Sequence, residues 1–142
     1  MKVKDILQHK GTDVHTISPD ATMQQVMETL IERRIGSLVV CNDNGNLLGI
    51  ITERDVLREC TQHGEQVKST RVREVMTTQL IVATPDDDVQ YVMSIMTHNR
   101  VRHLPILVGH RLFGLISIGD VVKAQLEATE FENRYLREYI SH

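Results

Sequence analysis

The chain has 142 residues, of which 41% are hydrophobic and 4% aromatic, and its formal net charge at pH 7 is −3. This length suits one ordinary domain or two very small ones, with a core of aliphatic side chains and methionine. The mildly acidic charge argues against a nucleic-acid partner, and no apolar run approaches the roughly 18 residues that span a membrane.

Cysteine and histidine usage predicts an intracellular protein without a metal site. The N-terminal stretch lacks the apolar region of a secretory signal, and Cys41 and Cys60 have neither disulfide-framework nor metal-binding spacing. A reducing cytoplasm is therefore the expected compartment. No two histidines are four residues apart, so we expect no bound metal. The histidines are His9, His15, His63, His98, His103, His110 and His142.

The first predicted elements are a short strand and a helix. Residues 14–18 form an extended segment that ends at Pro19, because proline cannot continue a hydrogen-bonded ladder. A helix with Thr22 as its N-cap follows, because apolar residues recur there at i, i+3, i+4, i+7 and i+8. These apolar residues are Met23, Val26, Met27, Leu30 and Ile31.

A β-hairpin and a second helix complete this first unit. Residues 38–41 are continuously apolar, as in a buried strand, and residues 42–45 (NDNG) favour a tight turn. Residues 47–51 form the return strand, and a helix begins near Glu53. The unit is therefore β-α-β-β-α.

The same unit occurs a second time along the chain. With an offset of 66 residues Pro19 falls on Pro85, and with an offset of 65 after the hairpin Asp55 falls on Asp120. The openings VKDIL at 3–7 and VREVM at 72–76 also match. Since neither copy is large enough to be stable alone, we expect the two to pack into one globule. The second copy predicts an extended segment at 80–84, a helix capped by Asp88, strands at 104–108 and 112–116, and a helix from near Gly119.

Two further segments lie beside the repeats. Residues 58–71 are polar and predict a linker. Residues 123–142 extend the last helix, with Ala128, Phe131, Tyr135 and Tyr139 along one side of it.

Each unit carries a heptapeptide that runs from a glycine to an aspartate: GIITERD at 49–55 and GLISIGD at 114–120. Within the duplicated frame these motifs resemble the CBS (cystathionine β-synthase) domain family, and the whole chain is similar to its stand-alone two-domain members. The resemblance implies an α/β fold in which two β-α-β-β-α CBS repeats pack with pseudo-two-fold symmetry as a Bateman module, plus a C-terminal helix. The implied limits are residues 1–60 for CBS domain 1, 72–125 for CBS domain 2 and 126–142 for the C-terminal helical extension.

The motif residues suit an adenosine phosphate on chemical grounds. An ionised carboxylate at the first turn of a helix, Asp55 or Asp120, can accept hydrogen bonds from both ribose hydroxyls. The hydroxyl of Thr52 or Ser117 lies three residues earlier, and the helix N-terminus favours an anion. Gly119 lets a ligand approach the backbone closely.

The resemblance also implies which residues line each cleft, since both repeats contribute to both clefts. The phosphate faces Arg102 and His103, and arginine suits a bidentate phosphate contact. The Asp120 cleft further includes Ile35, Gly36, Ser37 and residues near 11–14, Val14 among them. The Asp55 cleft draws on Met76, Thr77, Val101 and Arg102.

Two questions about individual residues stay open. Thr52 and Asp55 either bind a ligand or only cap a helix, and Arg54 is either a phosphate ligand or a solvated cation. We favour the Asp120 cleft as the nucleotide site, because Arg102, His103 and Ser117 belong to its own repeat.

These features predict a non-catalytic regulatory module that senses an adenine nucleotide. AMP or NAD(H) is preferred, with ADP and ATP as further candidates, because few fixed cations are expected near the phosphates. The expected partners are a second copy of the chain, in a homodimer, and an unidentified regulated protein. The alternative is a CBS pair that acts as a dimerisation or interaction scaffold without a physiological ligand.

Overall fold

The elements of the first repeat follow in the predicted order in the computed structural model, which describes residues 1–141. His142 lies outside the described residues. Thr22 caps its helix as expected: its hydroxyl accepts a hydrogen bond from the Gln25 N–H, and the Gln25 side chain accepts one from the Thr22 N–H. The elements are α1 (Val3–Lys10), β1 (Thr16–Ile17), α2 (Met23–Arg33), β2 (Ser37–Cys41), β3 (Leu47–Thr52) and α3 (Glu53–His63).

The second repeat has the same order but a weaker first strand. The extended segment expected at 80–84 is reduced to one parallel bridge, between Ala83 and Ile106. Asp88 precedes the first long helix, and its side chain forms no capping hydrogen bond with the described residues. The elements are α4 (Val72–Val75), α5 (Val89–Asn99), β4 (His103–Val108), β5 (Arg111–Ser117) and α6 (Ile118–Ser141).

The two sheets place equivalent residues opposite each other. β1 pairs parallel with β2, and β2 pairs antiparallel with β3 so that Ser37 lies opposite Thr52. In the second sheet β4 pairs antiparallel with β5, and His103 lies opposite Ser117. The predicted α/β fold of two repeats with a C-terminal helix is thereby confirmed.

Each repeat packs against the opening helix of the other. Val3 and Leu7 of α1 lie in the core of the second repeat, whereas Val72 of α4 lies in the core of the first. Backbone hydrogen bonds fix both exchanges: the Val3 N–H donates to the Asp87 carbonyl at 3.0 Å, and the Val72 N–H donates to the Ala21 carbonyl at 2.8 Å. This reciprocal exchange was not predicted, and it ties the two repeats together while each keeps its own core.

The segment predicted as a linker at residues 58–71 is largely helical. Helix α3 continues to His63, and a 3₁₀ helix follows at Gly64–Ser69. Val67 of this 3₁₀ helix is only 3% exposed and packs in the core of the first repeat. The segment is polar because most of its side chains face solvent, while one apolar side chain anchors it. Within the described residues, no helix is long and apolar enough to cross a membrane.

Candidate functional site

The two motif aspartates occupy equivalent positions, each in the first turn of a helix that directly follows a strand. Asp55 accepts a hydrogen bond from the Thr52 N–H at 2.9 Å, and the Asp55 N–H donates to the Thr52 hydroxyl. Asp120 accepts one from the Ser117 N–H at 2.8 Å, and the Asp120 N–H donates to the Ser117 hydroxyl. The helix-capping role that was considered for Thr52 and Asp55 is therefore present in both repeats.

Asp120 combines this cap with a contact to the other end of the sequence. The Lys10 ammonium donates to Oδ2 of Asp120 at 2.5 Å and to the Leu115 carbonyl at 2.8 Å. Burial alone would raise the pKa of Asp120, but the hydrogen bonds and charge from Lys10 and the hydrogen bonds from Ser117 outweigh it, so the pKa lies below its ordinary value. The Asp120 side chain is still 26% exposed, so a ligand can reach it.

Asp55 is less accessible than Asp120. Its side chain is 8% exposed, and its Oδ1 accepts a hydrogen bond from the Arg58 guanidinium at 2.6 Å. Its Oδ2 accepts hydrogen bonds from the N–H and the hydroxyl of Thr52. Both carboxylate oxygens are thus occupied by residues of its own repeat.

Arg102 and Gly36 hold equivalent places before the central strands. The Arg102 carbonyl accepts a hydrogen bond from the Ile118 N–H at 2.8 Å, and the Gly36 carbonyl accepts one from the Glu53 N–H at 3.0 Å. The Arg102 side chain is exposed. A Cβ added at Gly36 would lie 3.0 Å from Oε1 of Glu53, so the Glu53 side chain lies directly over this glycine.

His103, half-buried at the start of β4, is where charges from both repeats meet. Burial lowers the pKa of His103, and the charges of Lys10 and Arg102 lower it further, while Asp120 and Glu53 act in the opposite direction. Lys10 and Glu53 belong to the first half of the chain, so charges from both halves act on His103. Lys10 lies outside both motifs, and Glu53 lies within the first motif but was not among the predicted site residues.

Met76 and Thr77 pack on the strand that leads to the first motif. Thr77 exchanges two backbone hydrogen bonds with Ile50, at 2.9 and 3.0 Å. A Cβ added at Gly49 would lie 2.8 Å from the Thr77 carbonyl oxygen and 2.9 Å from Sδ of Met76, so only glycine fits there. This packing brings both residues to β3, the strand that ends at Thr52 and leads into the helix that carries Asp55.

The remaining predicted residues are placed as follows. Val14 lines a cavity of about 470 Å³ with Arg111 and Phe113, whereas Asp120 lines a different cavity of about 630 Å³. Ile35 packs at the edge of the first core. Arg54 and Gly119 are exposed in the first turns of α3 and α6. Among the described residues, no group of three or more His, Cys, Asp or Glu side chains could hold a metal ion.

The CBS domain family matches this chain twice, at residues 3–61 and 72–127. The chain belongs to the CBS domain family. The CBS domain-containing protein CBSX3, mitochondrial, of Arabidopsis thaliana is 35% identical, over 97% of this chain and 71% of that protein. The crystal structure of the CBS-domain containing protein ATU1752 from Agrobacterium tumefaciens is 39% identical with a TM-score of 0.83, over 88% of this chain and 99% of that one.

Two further comparisons bear on this CBS pair. The crystal structure of CBSX2 in complex with AMP has the same fold, with a TM-score of 0.76 at 23% identity over 90% of this chain and 98% of that one. The inosine-5'-monophosphate dehydrogenase of Mycobacterium leprae is 40% identical over 80% of this chain, but this match spans only 21% of the enzyme.

Proposed function

We propose that this CBS pair is a non-catalytic regulatory module that senses an adenine nucleotide, AMP or NAD(H), in the cleft beside Asp120. The observation that carries the proposal is the carboxylate of Asp120: it is capped by Ser117, in contact with Lys10 and still 26% exposed. The occurrence of AMP in a CBS protein of the same fold supports the choice of ligand class.

The cleft offers a partner for each part of such a ligand. Both contacts of the Asp120 carboxylate use Oδ2. Oδ1 is therefore available to accept hydrogen bonds from the ribose hydroxyls. Arg102 is exposed next to His103 and suits the phosphate. Glu53 and Gly36 bring the first repeat to the same cleft, so a bound nucleotide contacts both repeats and can change how they pack.

The Asp55 cleft is the weaker of the two sites. Asp55 is buried and its two oxygens already accept hydrogen bonds from Thr52 and Arg58. A ribose would have to replace these bonds, whereas at Asp120 one oxygen remains available. Arg54, Thr52, Met76 and Thr77 accordingly have a secondary role.

Lys10 affects which nucleotide binds best. It adds a cation next to Asp120 and His103 that the sequence did not reveal. AMP and NAD(H) remain the preferred ligands, because His103 is expected to be neutral at pH 7 and cations such as Lys10 and Arg102 balance a monophosphate or diphosphate better than a triphosphate. ADP and ATP are the weaker candidates.

The sensing module acts as a homodimer on a cytoplasmic target protein, whose identity the sequence does not specify. The second candidate function, a scaffold without a ligand, draws on the closed Asp55 cleft and on the exposed apolar residues of α6.

The test compares AMP with adenosine on the unmodified protein and on Arg102→Ala, by calorimetric titration. AMP should bind the unmodified protein at least about 10-fold more tightly than adenosine, because a charge-assisted phosphate contact contributes about 1.5–3 kcal/mol. Arg102→Ala should lose most of this preference while adenosine affinity stays unchanged. Equal affinities for AMP and adenosine would refute the role of Arg102. No binding of AMP, ADP, ATP, NAD⁺ or NADH would favour the scaffold.

A further inference from the structure

The distal half of α6 is exposed on every side. All residues from 129 to 140 are exposed, and several of them are large and apolar. A helix of this length is marginal in water on its own, and exposed apolar surface of this extent marks an interaction site. The large apolar residues are Phe131 (72% exposed), Tyr135 (62%), Leu136 (53%), Tyr139 (74%) and Ile140 (79%).

One stripe of α6 follows the spacing of a coiled coil. Val121, Ala124, Ala128, Phe131 and Tyr135 are alternately three and four residues apart, as in the a and d positions of a heptad. The proximal part of the stripe is small and packs on its own repeat: Val121 is fully buried and Ala124 partly so. The distal part is aromatic and exposed.

The side-chain sizes along this stripe are complementary to those along the same stripe of a second copy that runs in the opposite direction. An antiparallel pair centred between Thr129 and Glu130 places Ala128 opposite Phe131 of the second copy, and Ala124 opposite its Tyr135. Each large ring then meets a small side chain. A parallel pair would instead place ring against ring and alanine against alanine, with crowding in one layer and a gap in the next.

A groove is already present where the second copy's rings would lie. The cavity of about 630 Å³ between α1 and α6 is lined by small or apolar residues of both helices and, at their edges, by charged residues that include Lys10 and Asp120. The small or apolar ones are Met1, Ile6, Ala124 and Ala128. The cavity lies beside the proximal stripe, so the distal arm of another α6 can pack along it. The stripe and the groove together form a continuous surface.

Charges beside the stripe favour the same direction. Glu127 and Arg134 occupy the heptad position that precedes Ala128 and Tyr135. In an antiparallel pair these flanking positions of the two copies lie on the same side of the stripe, so Glu127 of each copy lies near Arg134 of the other. Two-fold symmetry creates this attractive pair twice. A parallel register would place Glu127 opposite Glu132, which repels it.

We infer that two copies of this chain pair through an antiparallel contact of their α6 helices, in which Phe131 and Tyr135 of each copy pack on Ala128 and Ala124 of the other. This inference specifies the dimer interface and rests on the homodimer of the proposed function. Each α6 arm then lies along the groove between α1 and α6 of the second copy, and this groove is lined at one end by Lys10 and Asp120.

The test is a charge exchange in the full chain without nucleotide, with the dimer dissociation constant measured by sedimentation equilibrium. Glu127→Arg and Arg134→Glu should each weaken the dimer on the order of 10-fold, because two attractive pairs become repulsive. The double variant should restore it to within about threefold. Glu130→Arg makes the same charge change at a position away from the stripe, and it should leave the constant unchanged.

Three results would overturn the inference. The first is an unmodified protein that is monomeric at about 10 µM, the limit for a weak dimer. The second is a tighter dimer for Glu127→Arg, as a parallel pair requires. The third is a double variant whose dimer stays as weak as the dimers of the single variants. Phe131→Ala provides an independent measurement: it should weaken the dimer by about 100-fold or more, through loss of a buried ring. AMP titration of Glu127→Arg separates the two proposals, since affinity for the nucleotide is expected to persist when the dimer is lost.

Discussion

The two motif aspartates differ in how much of their hydrogen-bonding capacity the fold already uses. Asp55 is buried and bonded through both oxygens to Thr52 and Arg58, so its main contribution is to stability. Asp120 uses one oxygen for Ser117 and Lys10 and is more exposed. The same motif therefore gives a buried capping carboxylate in the first repeat and a partly exposed one in the second.

Asp55→Ala should lower the free energy of unfolding by about 2 kcal/mol, because it leaves the Thr52 N–H without its carboxylate and removes a charge-assisted bond. Asp55→Asn, which keeps a capping oxygen, should lose less than half of that. Urea denaturation of the two variants measures the difference. An Asp55→Ala protein as stable as the unmodified one would show that the cap is dispensable.

The pH dependence of stability should report on His103. Its pKa in the folded protein lies below the ordinary value of 6.5, mainly because of burial, so the unfolded chain takes up this proton first as the pH falls. The contribution of His103 to stability is therefore fully present above pH 6.5 and declines below it. His103→Gln should flatten the decline in unfolding free energy between pH 6.5 and about pH 5. Equal slopes in the variant and the unmodified protein would contradict this assignment.

At the level of elements, hydrophobic patterning predicted the strands and long helices but not every connection. The hairpins were predicted correctly because β2 and β4 each contain a continuous apolar run that is followed by turn residues. The helical structure of the linker segment at 58–71 was not predicted, because a 3₁₀ helix with a single buried residue, Val67, has no periodic apolar signal. The exchange of α1 and α4 could not be predicted, since it depends on packing between distant parts of the chain.

Val67→Ala distinguishes an anchored 3₁₀ helix from a solvated linker. Because Val67 is 3% exposed, its truncation should cost about 1–2 kcal/mol of unfolding free energy. Leu57→Ala removes a larger side chain from the neighbouring α3, but Leu57 is 68% exposed and the change should cost less than about 0.5 kcal/mol. Chemical denaturation compares the two variants. A larger loss for Leu57→Ala would contradict the packing described for this segment.

At the scale of the whole molecule, the duplicated sequence gives two similar frames but two unequal clefts. The family resemblance implied that Arg102 and His103 lie near Asp120 and Ser117, and the pairing of β4 with β5 places His103 opposite Ser117. The sequence did not indicate Lys10, which lies 110 residues from Asp120 in sequence and reaches it because α1 packs on the second repeat. The difference between the two aspartates therefore arises partly from local sequence, such as Arg58 beside Asp55, and partly from tertiary packing.

Calorimetric titration of AMP into the unmodified protein, Asp120→Ala and Asp55→Ala tests whether Asp120 binds the nucleotide. We expect one strong site per chain, an affinity reduced about 10-fold or more by Asp120→Ala, and a smaller effect of Asp55→Ala under conditions where that variant is folded. Loss of AMP binding in Asp55→Ala with unchanged AMP affinity in Asp120→Ala would contradict this assignment. So would the absence of any heat of binding with every adenine nucleotide at about millimolar concentration.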